Sequence, residues 1–179
     1  MSIAYESEYA QVPETDRKKV WPAARKKLVQ KYGWGIPTDE VISRLTAASI
    51  DQPLFEVGAG NGYIAHVVQT NGGNIIPVDI YPPEQVWTTV YELCFTELTK
   101  EYVQSLLLVW PPAHSSVAAD CIEELEPERL FFIGHPHSHI TGDEAFHTHL
   151  TDFSCSFELE LPSWGDNTTR AVFQEFECS

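Results

Sequence analysis

The sequence has no run of about 18 apolar residues, the length that a helix needs to cross a bilayer. Its first residues, which include Glu6 and Glu8, lack the apolar core of a secretory signal. The cysteines form no C-x-x-C pair, which disfavours a thiol redox motif or a zinc ribbon. They are Cys94, Cys121, Cys155 and Cys178. We therefore expect a cytoplasmic protein with reduced thiols and no membrane partner.

Basic residues are scarce outside one short stretch. Seven of the eleven lysines and arginines lie within residues 17–31, whereas residues 32–179 carry four basic and twenty-two acidic side chains. The net charge of −15 disfavours non-specific binding to nucleic acid or to anionic membranes. The basic stretch predicts an amphipathic helix, whose lysines either form a solvated face or steer an anionic substrate.

The length of the chain limits the number of domains. A chain of 179 residues suits one domain with a sizeable core. We expect residues 1–14 to form a mobile N-terminal arm and residues 15–179 to form that single domain.

Residues 54–65 change from a short apolar run to three alternating glycines and then to helical spacing. They read Leu-Phe-Glu-Val-Gly-Ala-Gly-Asn-Gly-Tyr-Ile-Ala. The apolar run predicts a buried parallel strand, and the glycines allow a sharp turn that lies close to a ligand. The helix that follows would present its N-terminus to that ligand. This arrangement predicts a nucleotide-like ligand in an open α/β sheet.

The spacing of the glycines narrows the class of ligand. A dinucleotide loop, G-x-G-x-x-G, would have its third glycine at Tyr63, and no G-x-x-x-x-G-K-[ST] phosphate loop is present. A second apolar run ends at Asp79, where a carboxylate can accept hydrogen bonds from both hydroxyls of a ribose. With Glu56 ahead of the glycines, the pattern resembles the first two motifs of class I S-adenosylmethionine-dependent methyltransferases.

Other stretches are similar to a family of uncharacterised methyltransferase-like proteins. They are the aromatic loop at residues 32–40, the apolar run and turn at residues 106–112, and a later turn that is glycine-rich in that family. The resemblance covers roughly residues 20–178. It implies a Rossmann-like class I methyltransferase fold, in which a mostly parallel seven-stranded sheet carries helices on both faces and ends in an antiparallel hairpin. It also implies S-adenosylmethionine as the cofactor.

The residues expected to bind the cofactor lie in four places along the chain. They are Tyr32 and Trp34 in the aromatic loop, Glu56, Gly58, Ala59, Gly60, Asn61 and Gly62 at the glycine motif, Asp79 and Ile80 after the second apolar run, and Trp110. The aromatic loop either closes over the bound ligand or packs under the N-terminal helices.

The turn that begins with Trp110, Pro111 and Pro112 stands where amino methyltransferases carry an (Asn/Asp)-Pro-Pro-aromatic motif. In those enzymes a side-chain carbonyl and a proline carbonyl accept hydrogen bonds from the target nitrogen. An indole cannot accept such a bond. Trp110 therefore contacts the sulfonium, contacts a flat substrate, or only shapes a rigid turn. The candidate catalytic residues are Trp110, Pro111 and His135.

Five histidines crowd into a stretch of fifteen residues. They are His135, His137, His139, His147 and His149. The stretch is an exposed loop, a metal site, or the source of a general base at His135. Because there is no H-E-x-x-H, and His147 and His149 would point apart on a helix, we predict no metal. Thr141 and Glu144 predict a capping box for the last helix.

The sequence as a whole predicts an S-adenosylmethionine-dependent methyltransferase that acts on a small molecule. One alternative is a nucleic-acid or protein methyltransferase that docks through the basic stretch. Another is a protein that binds or cleaves S-adenosylmethionine without transferring its methyl group. The pattern predicts no particular oligomeric state.

Overall fold

The computed structural model of the protein describes residues 26–137, 140–162 and 171–178. Its strands are β1 (Leu54–Val57), β2 (Ile75–Asp79), β3 (Tyr91–Glu92), β4 (Ser105–Val109), β5 (Arg129–Gly134), β6 (Phe153–Leu161) and β7 (Ala171–Cys178). Its helices are α1 (residues 26–32), α2 (Asp39–Ala48), α3 (Tyr63–Thr70), α4 (Val117–Leu125) and α5 (Glu144–His149).

The strands form one seven-stranded sheet in the order β3-β2-β1-β4-β5-β7-β6. The pairs among β1 to β5 are parallel, whereas β7 pairs antiparallel with both β5 and β6. The predicted fold class is therefore confirmed, including the C-terminal hairpin. Strand order reverses at β1, which lies between β2 and β4, and ligands of open α/β sheets bind in the crevice at such a reversal.

The core lies on both faces of the sheet because the central strands carry apolar side chains on both sides. Leu107 packs with the cluster that includes α2 and α3, whereas Leu106 and Leu108 pack with the cluster that includes α4 and α5. The alternation along β4 thus assigns successive side chains to opposite layers. Helices on both faces fix the carboxyl ends of β1, β2 and β4 relative to one another.

Local signals set several element boundaries. Thr38 caps α2 by accepting a hydrogen bond from the N–H of Val41 at 3.3 Å. The C-cap of α3 is Asn71, and Gly72 then adopts a φ of +89°. The segment between β3 and β4 contains two short 3-10 helices, Phe95–Glu97 and Lys100–Tyr102.

The predicted capping box of the last helix is wrong. The N-cap of α5 is Asp143, whose Oδ1 accepts a hydrogen bond from the N–H of Phe146 at 2.9 Å. Thr141 is buried and its hydroxyl accepts from the N–H of His135 and donates to the carbonyl of the same residue. The side chain of Thr141, which the local pattern assigned to the helix cap, thus bonds the backbone of His135 instead.

Several predictions fall on residues that the structure does not describe. The expected arm at residues 1–14, the first part of the basic stretch and His139 lie outside the described residues. No helix in the described part of the chain is long and apolar enough to cross a membrane. All four cysteines carry free thiols.

Candidate functional site

The bend between β1 and α3 is shaped by three glycines in the left-handed region. Gly58, Gly60 and Gly62 have φ values of +73°, +55° and +70°. A Cβ at Gly60 would have no heavy atom within 4 Å, so that face of the bend is open. A side chain there would be strained and would also fill the open space.

The carboxylate of Asp79 at the end of β2 faces this bend. Its Oδ2 accepts a hydrogen bond from the N–H of Gly60 at 2.8 Å, and its Oδ1 accepts one from the N–H of Tyr81 at 2.8 Å. Asp79 is half-buried, and each oxygen retains capacity for a further donor. The two adjacent strand ends thus present an open backbone and a carboxylate to the same crevice.

A cavity of about 110 Å³ lies between the bend and the loop that follows α1. It is lined by Tyr32, Gly33, Trp34, Gly35, Glu56, Gly58, Ala59, Gly60, Asn61, Tyr63, Ile64 and Val109. Gly35 lets the loop approach the sheet, because a Cβ there would come within 2.8 Å of Val109 Cγ1. Apart from one carboxyl, the lining carries no charged side chain.

That one carboxyl belongs to Glu56, which is only 2% exposed. Burial, together with the charge of Asp79, raises the pKa of Glu56 to about 8, although a hydrogen bond from the backbone of Ala65 acts in the opposite direction. Glu56 is therefore mostly uncharged at pH 7. Its Oε2 is buried and has no hydrogen-bond partner among the described residues. A buried acceptor of this kind suits a donor that arrives with a ligand.

The loop over the cavity is anchored by an aromatic cluster of Tyr32, Tyr63 and Trp87. The rings of Tyr32 and Trp87 stack with centroids 5.7 Å apart, and Tyr63 meets each of them edge-on. Burial raises the pKa of Tyr63 to about 12, so the phenol stays neutral. This cluster was not predicted, because nothing in the local pattern brings residue 87 to residue 32.

Hydrogen bonds also tie the end of α1 to the glycine bend. The carbonyl of Lys31 accepts from Asn61 Nδ2 at 2.9 Å and from Trp87 Nε1 at 2.6 Å. The carbonyl of Asn61 in turn accepts from the backbone N–H of Trp87 at 2.8 Å. In the aromatic loop, Tyr32 thus packs against Tyr63 and Trp87, while Trp34 lines the cavity and is 47% exposed.

Trp110 follows β4 with a φ of +49°, which is unusual for a residue with a side chain. Its backbone N–H donates to the carbonyl of Ile133 at 2.7 Å. Its ring is half-buried and lies 5.9 Å from the ring of Trp34, tilted by 34°. The indole Nε1 is buried and has no partner in the part of the chain that the structure describes. The carbonyl of Pro111 accepts from the N–H of Gly142 at 2.8 Å.

The histidines serve as packing and hydrogen-bonding residues where the structure describes them. His135 is buried at the end of β5, and its ring lies 5.2 Å from that of His137. His147 Nε2 is 2.7 Å from the carbonyl oxygen of Thr141, and His149 Nε2 is 2.9 Å from Glu123 Oε1. Within the described ranges, no three His, Cys, Asp or Glu side chains are placed to hold a metal ion.

The structure brings most of the predicted cofactor residues together. Seven of them line the cavity: Tyr32, Trp34, Glu56, Gly58, Ala59, Gly60 and Asn61. Asp79 lies beside Gly60, and Trp110 contacts Trp34. These two residues and two others do not line the cavity: Gly62 packs against Val90 and Thr88, and Ile80 is 51% exposed.

Five lining residues were not among the predicted set. They are Gly33, Gly35, Tyr63, Ile64 and Val109. Val109 ends a central strand and Tyr63 begins α3, so their positions next to the motif were the available signal. The two glycines flank Trp34, and only the fold shows that they let the loop lie against the sheet.

A second cavity, of about 320 Å³, lies at the amino-terminal edge of the parallel strands. Arg129 in this groove donates to Ser105 Oγ at 3.0 Å and to the carbonyl of Ala48 at 2.8 Å. Arg44 pairs with Glu175 at 3.3 Å and lies over the ring of Phe157. These polar groups are engaged with one another, which indicates a structural role.

Comparison with solved structures identifies the fold. The chain is similar to magnesium protoporphyrin IX methyltransferase from Synechocystis PCC 6803, solved with bound SAM, with a TM-score of 0.57 and 13% identity over 98% of this chain and 92% of that one. It is similar to 1,6-didemethyltoxoflavin-N1-methyltransferase from Burkholderia thailandensis, with a TM-score of 0.56 and 13% identity over 100% and 92%. The chain has the class I methyltransferase fold.

A third similar structure is that of an enzyme that methylates RNA. It is the tRNA (uracil-54, C5)-methyltransferase of Pyrococcus abyssi in complex with S-adenosyl-L-homocysteine, with a TM-score of 0.52 and 9% identity over 76% of this chain and 37% of that one. No protein-family model matches the sequence, and no curated protein matches it significantly. At such low identities the similarity establishes the fold, and the chemistry has to be argued from the site.

Proposed function

We propose that the protein is an S-adenosylmethionine-dependent methyltransferase that acts on a small molecule. The observation that carries this proposal is the pairing of Gly60 and Asp79 at the reversal of strand order. An open bend bonded to a carboxylate on the neighbouring strand provides both halves of a nucleoside site.

The residues present fit the parts of this cofactor. The buried Oε2 of Glu56 has no partner among the described residues and would accept from the α-ammonium group of the amino-acid tail. Asp79 has capacity left for the ribose hydroxyls. Ile80, apolar and half exposed, would contact the adenine. The cavity of about 110 Å³ is smaller than a usual ligand site of roughly 300–1,000 Å³. It would therefore enclose the tail, while the sugar and base lie in the open crevice.

When bound, S-adenosylmethionine supplies an electrophilic methyl group on a sulfonium. The contribution of this chain is to hold and enclose the reactants, since orientation alone lowers a barrier substantially. The loop at residues 32–35 lines the cavity beside the glycine bend, where it would limit the access of water to bound reactants. The titratable carboxyl in the cavity, Glu56, is assigned here to the ammonium group of the cofactor, so an acceptor that is already nucleophilic at neutral pH suits the site.

A small acceptor is favoured by the charge and by the enclosed cavity. The chain carries a net charge of −15, which repels a polyanion. Among proteins of similar structure, two are named for magnesium protoporphyrin IX and for 1,6-didemethyltoxoflavin. These names support the proposal without naming the acceptor of this chain.

One observation favours a nucleic acid instead. Lys26, Lys27 and Lys31 are exposed on α1, directly beside the loop that covers the cavity. They would place positive charge where a polyanion enters. A protein of similar structure acts on tRNA. The alternative therefore predicts salt-sensitive binding of polynucleotide near this helix.

A third function would bind or cleave the cofactor without methyl transfer. It is motivated by Trp110, which cannot accept a hydrogen bond from an amine. Incubation of the protein with S-adenosylmethionine alone discriminates, because cleavage without any acceptor is not methyl transfer.

Calorimetric titration with S-adenosylmethionine and S-adenosylhomocysteine tests the proposed function. We expect saturable binding of both compounds at one site per chain, and much weaker binding of methionine or adenosine alone. The absence of any heat of binding from the folded protein, in the presence of either compound, would end the proposal.

A further inference from the structure

The backbone at Trp110 is held in a conformation that costs free energy. Its φ of +49° lies in the left-handed region, which is unfavourable for a residue with a side chain. The described residues contain one other such residue, Glu126, and that one ends α4. Trp110 ends a strand at the ligand crevice, where strain of this kind is most often functional.

Neighbouring contacts keep this conformation in place. The N–H of Trp110 donates to Ile133, the carbonyl of Pro111 accepts from Gly142, and Pro112 forms an isolated bridge with Thr141. The two prolines restrict the backbone after the indole. The chain thus places one particular side chain at the carboxyl end of β4, next to Val109 in the cavity wall.

The indole itself has an unmet requirement. Its Nε1–H is buried and no described residue accepts from it, which is unfavourable because a buried donor has lost its hydrogen bonds to water. A phenylalanine would fill similar space without that cost. A bound molecule that carries a hydrogen-bond acceptor would remove the cost.

Trp34 is a partly exposed neighbour of this indole. It is 47% exposed, it stands between Gly33, which has a φ of +81°, and Gly35, and it contacts Trp110 at 5.9 Å. Exposed side chains change rotamer within picoseconds to nanoseconds. A rotamer change of Trp34 that separates the two rings would give a flat molecule access to both aromatic faces and to the N–H of Trp110.

We infer that Trp110 selects the methyl acceptor by donating its indole N–H to an oxygen of a planar aromatic compound, either a phenolic or a carbonyl oxygen. This inference rests on the proposed function. The two indoles and Val109 supply flat, apolar contact. The indole N–H can only donate, so it binds an acceptor atom such as oxygen and cannot bind the N–H of an amine. The acidic chain disfavours a multiply charged anion, so the oxygen belongs to a neutral or singly charged compound.

The test compares two variants of the protein with two ligands of one ring system. The probes are 2-naphthol and naphthalene, which differ by one oxygen, and the proteins are wild type and Trp110→Phe. Calorimetry in the presence of saturating S-adenosylhomocysteine gives four affinities. The cycle isolates the hydrogen bond from the loss of ring contact.

We expect Trp110→Phe to weaken 2-naphthol binding about three- to tenfold, as the loss of one hydrogen bond requires, and to change naphthalene binding less than twofold. Equal effects on both ligands, or no binding of 2-naphthol by wild type, would overturn the inference. Affinity for S-adenosylhomocysteine is measured first for both proteins, so that each naphthol or naphthalene titration is made with that site saturated. Failure of wild type to bind that compound counts against the proposed function instead, because the naphthol comparison can be repeated without it.

A second measurement needs no variant. The chain has five tryptophans, whose indole N–H resonances are resolved by nitrogen-15 labelling and assigned through the backbone. We expect 2-naphthol, and not naphthalene, to move the Trp110 Nε1–H resonance downfield. A Trp110 resonance that stays unmoved while 2-naphthol binds would contradict the inference, even if Trp110→Phe fails to fold.

Discussion

At the scale of single residues, the buried carboxyl of Glu56 is the group whose chemistry departs most from its ordinary state. Its pKa is raised to about 8 from 4.5, chiefly by burial. A carboxyl group with a raised pKa holds its proton in the folded protein and loses it in the unfolded chain. Glu56 is therefore an uncharged acid in the empty site, and a bound cation would favour its ionised form.

Glu56 makes the stability of the protein depend on pH. Because its pKa is higher in the folded state, its contribution is fully present below about pH 4.5 and is lost as the pH rises to about 8. We expect Glu56→Gln to remove a fall of up to about 1.4 kcal/mol per pH unit in this window. Denaturant unfolding of both proteins at several pH values measures the difference.

A constant difference between the two proteins from pH 5 to pH 8 would contradict the assignment. Above pH 8 both curves should run parallel, because Glu56 is then ionised in either state. Glu84→Gln is the matched control, since it makes the same change at an exposed position outside any helix or strand.

Asp79 carries a second residue-scale prediction. Asp79→Asn keeps the size of the side chain and loses one acceptor position and the charge. Hydrogen bonds to charged groups contribute about 1.5–3 kcal/mol, so we expect S-adenosylhomocysteine to bind about ten- to a hundredfold more weakly. Asp51→Asn, at an exposed position before β1, should bind it like wild type. Equal affinities of Asp79→Asn and wild type would show that the carboxylate does not hold the ribose.

At the scale of secondary-structure elements, α1 and the glycine bend form one unit. Asn61 and Trp87 both donate to the carbonyl of Lys31, so the cover of the cavity is bonded to its floor. The stack of Tyr32 on Trp87 strengthens this link. Ligand binding at the bend should therefore change the amide hydrogen exchange of α1.

Removing the side chain of Asn61 should loosen α1 selectively. Its Nδ2 donates to the carbonyls of Gln30 and Lys31, and its Oδ1 accepts from the N–H of Tyr63. We expect Asn61→Ala to raise amide hydrogen exchange in residues 26–35 by at least about three- to tenfold, the effect of one net hydrogen bond, while β4 and β5 stay protected. Asn74→Ala, at an exposed position before β2, is the matched control. If residues 26–35 exchange at the same rate in Asn61→Ala and in Asn74→Ala, α1 does not depend on the glycine bend.

The elements also show what the sequence could and could not predict. Strand β1, the glycine bend and Asp79 follow from local patterns, because the period of apolar residues and the need for left-handed backbone are properties of short stretches. The N-cap of α5 was missed because Thr141 is used by His135 across a turn. Contacts between distant residues, such as Tyr32 with Trp87, leave no local pattern.

The site was predictable to a similar extent. The glycine motif predicts one wall of the cavity, because its residues are consecutive in the sequence. The walls come from α1, α3 and β4, and their meeting depends on the whole sheet. The left-handed backbone of Trp110 and the burial of its N–H are also products of that packing, so only the presence of the tryptophan could be predicted.

At the scale of the whole molecule, charge separates the proposed function from its nucleic-acid alternative. The chain is strongly acidic, while Lys26 and Lys27 are exposed on α1. We expect no measurable binding of a short single-stranded RNA at roughly 0.15 M salt, where the Debye length is about 8 Å. Fluorescence anisotropy of a labelled RNA measures this.

Salt-sensitive binding of RNA through α1 would support the nucleic-acid alternative. Binding that weakens steeply with salt, and that Lys26→Glu with Lys27→Glu abolishes, would favour a polynucleotide acceptor. The same double variant should bind S-adenosylhomocysteine within about twofold of wild type, because these charges lie outside the cavity and are screened by salt.

A crystal structure of the complex with S-adenosylhomocysteine tests the central claim most directly. The account predicts that the ribose hydroxyls lie within hydrogen-bonding distance of the Asp79 carboxylate, that the ammonium group contacts Glu56, and that the backbone of Gly60 lies against the ligand. Density for the ligand in the groove beside Arg44 and Arg129, or an Asp79 side chain turned away from the ribose, would contradict it.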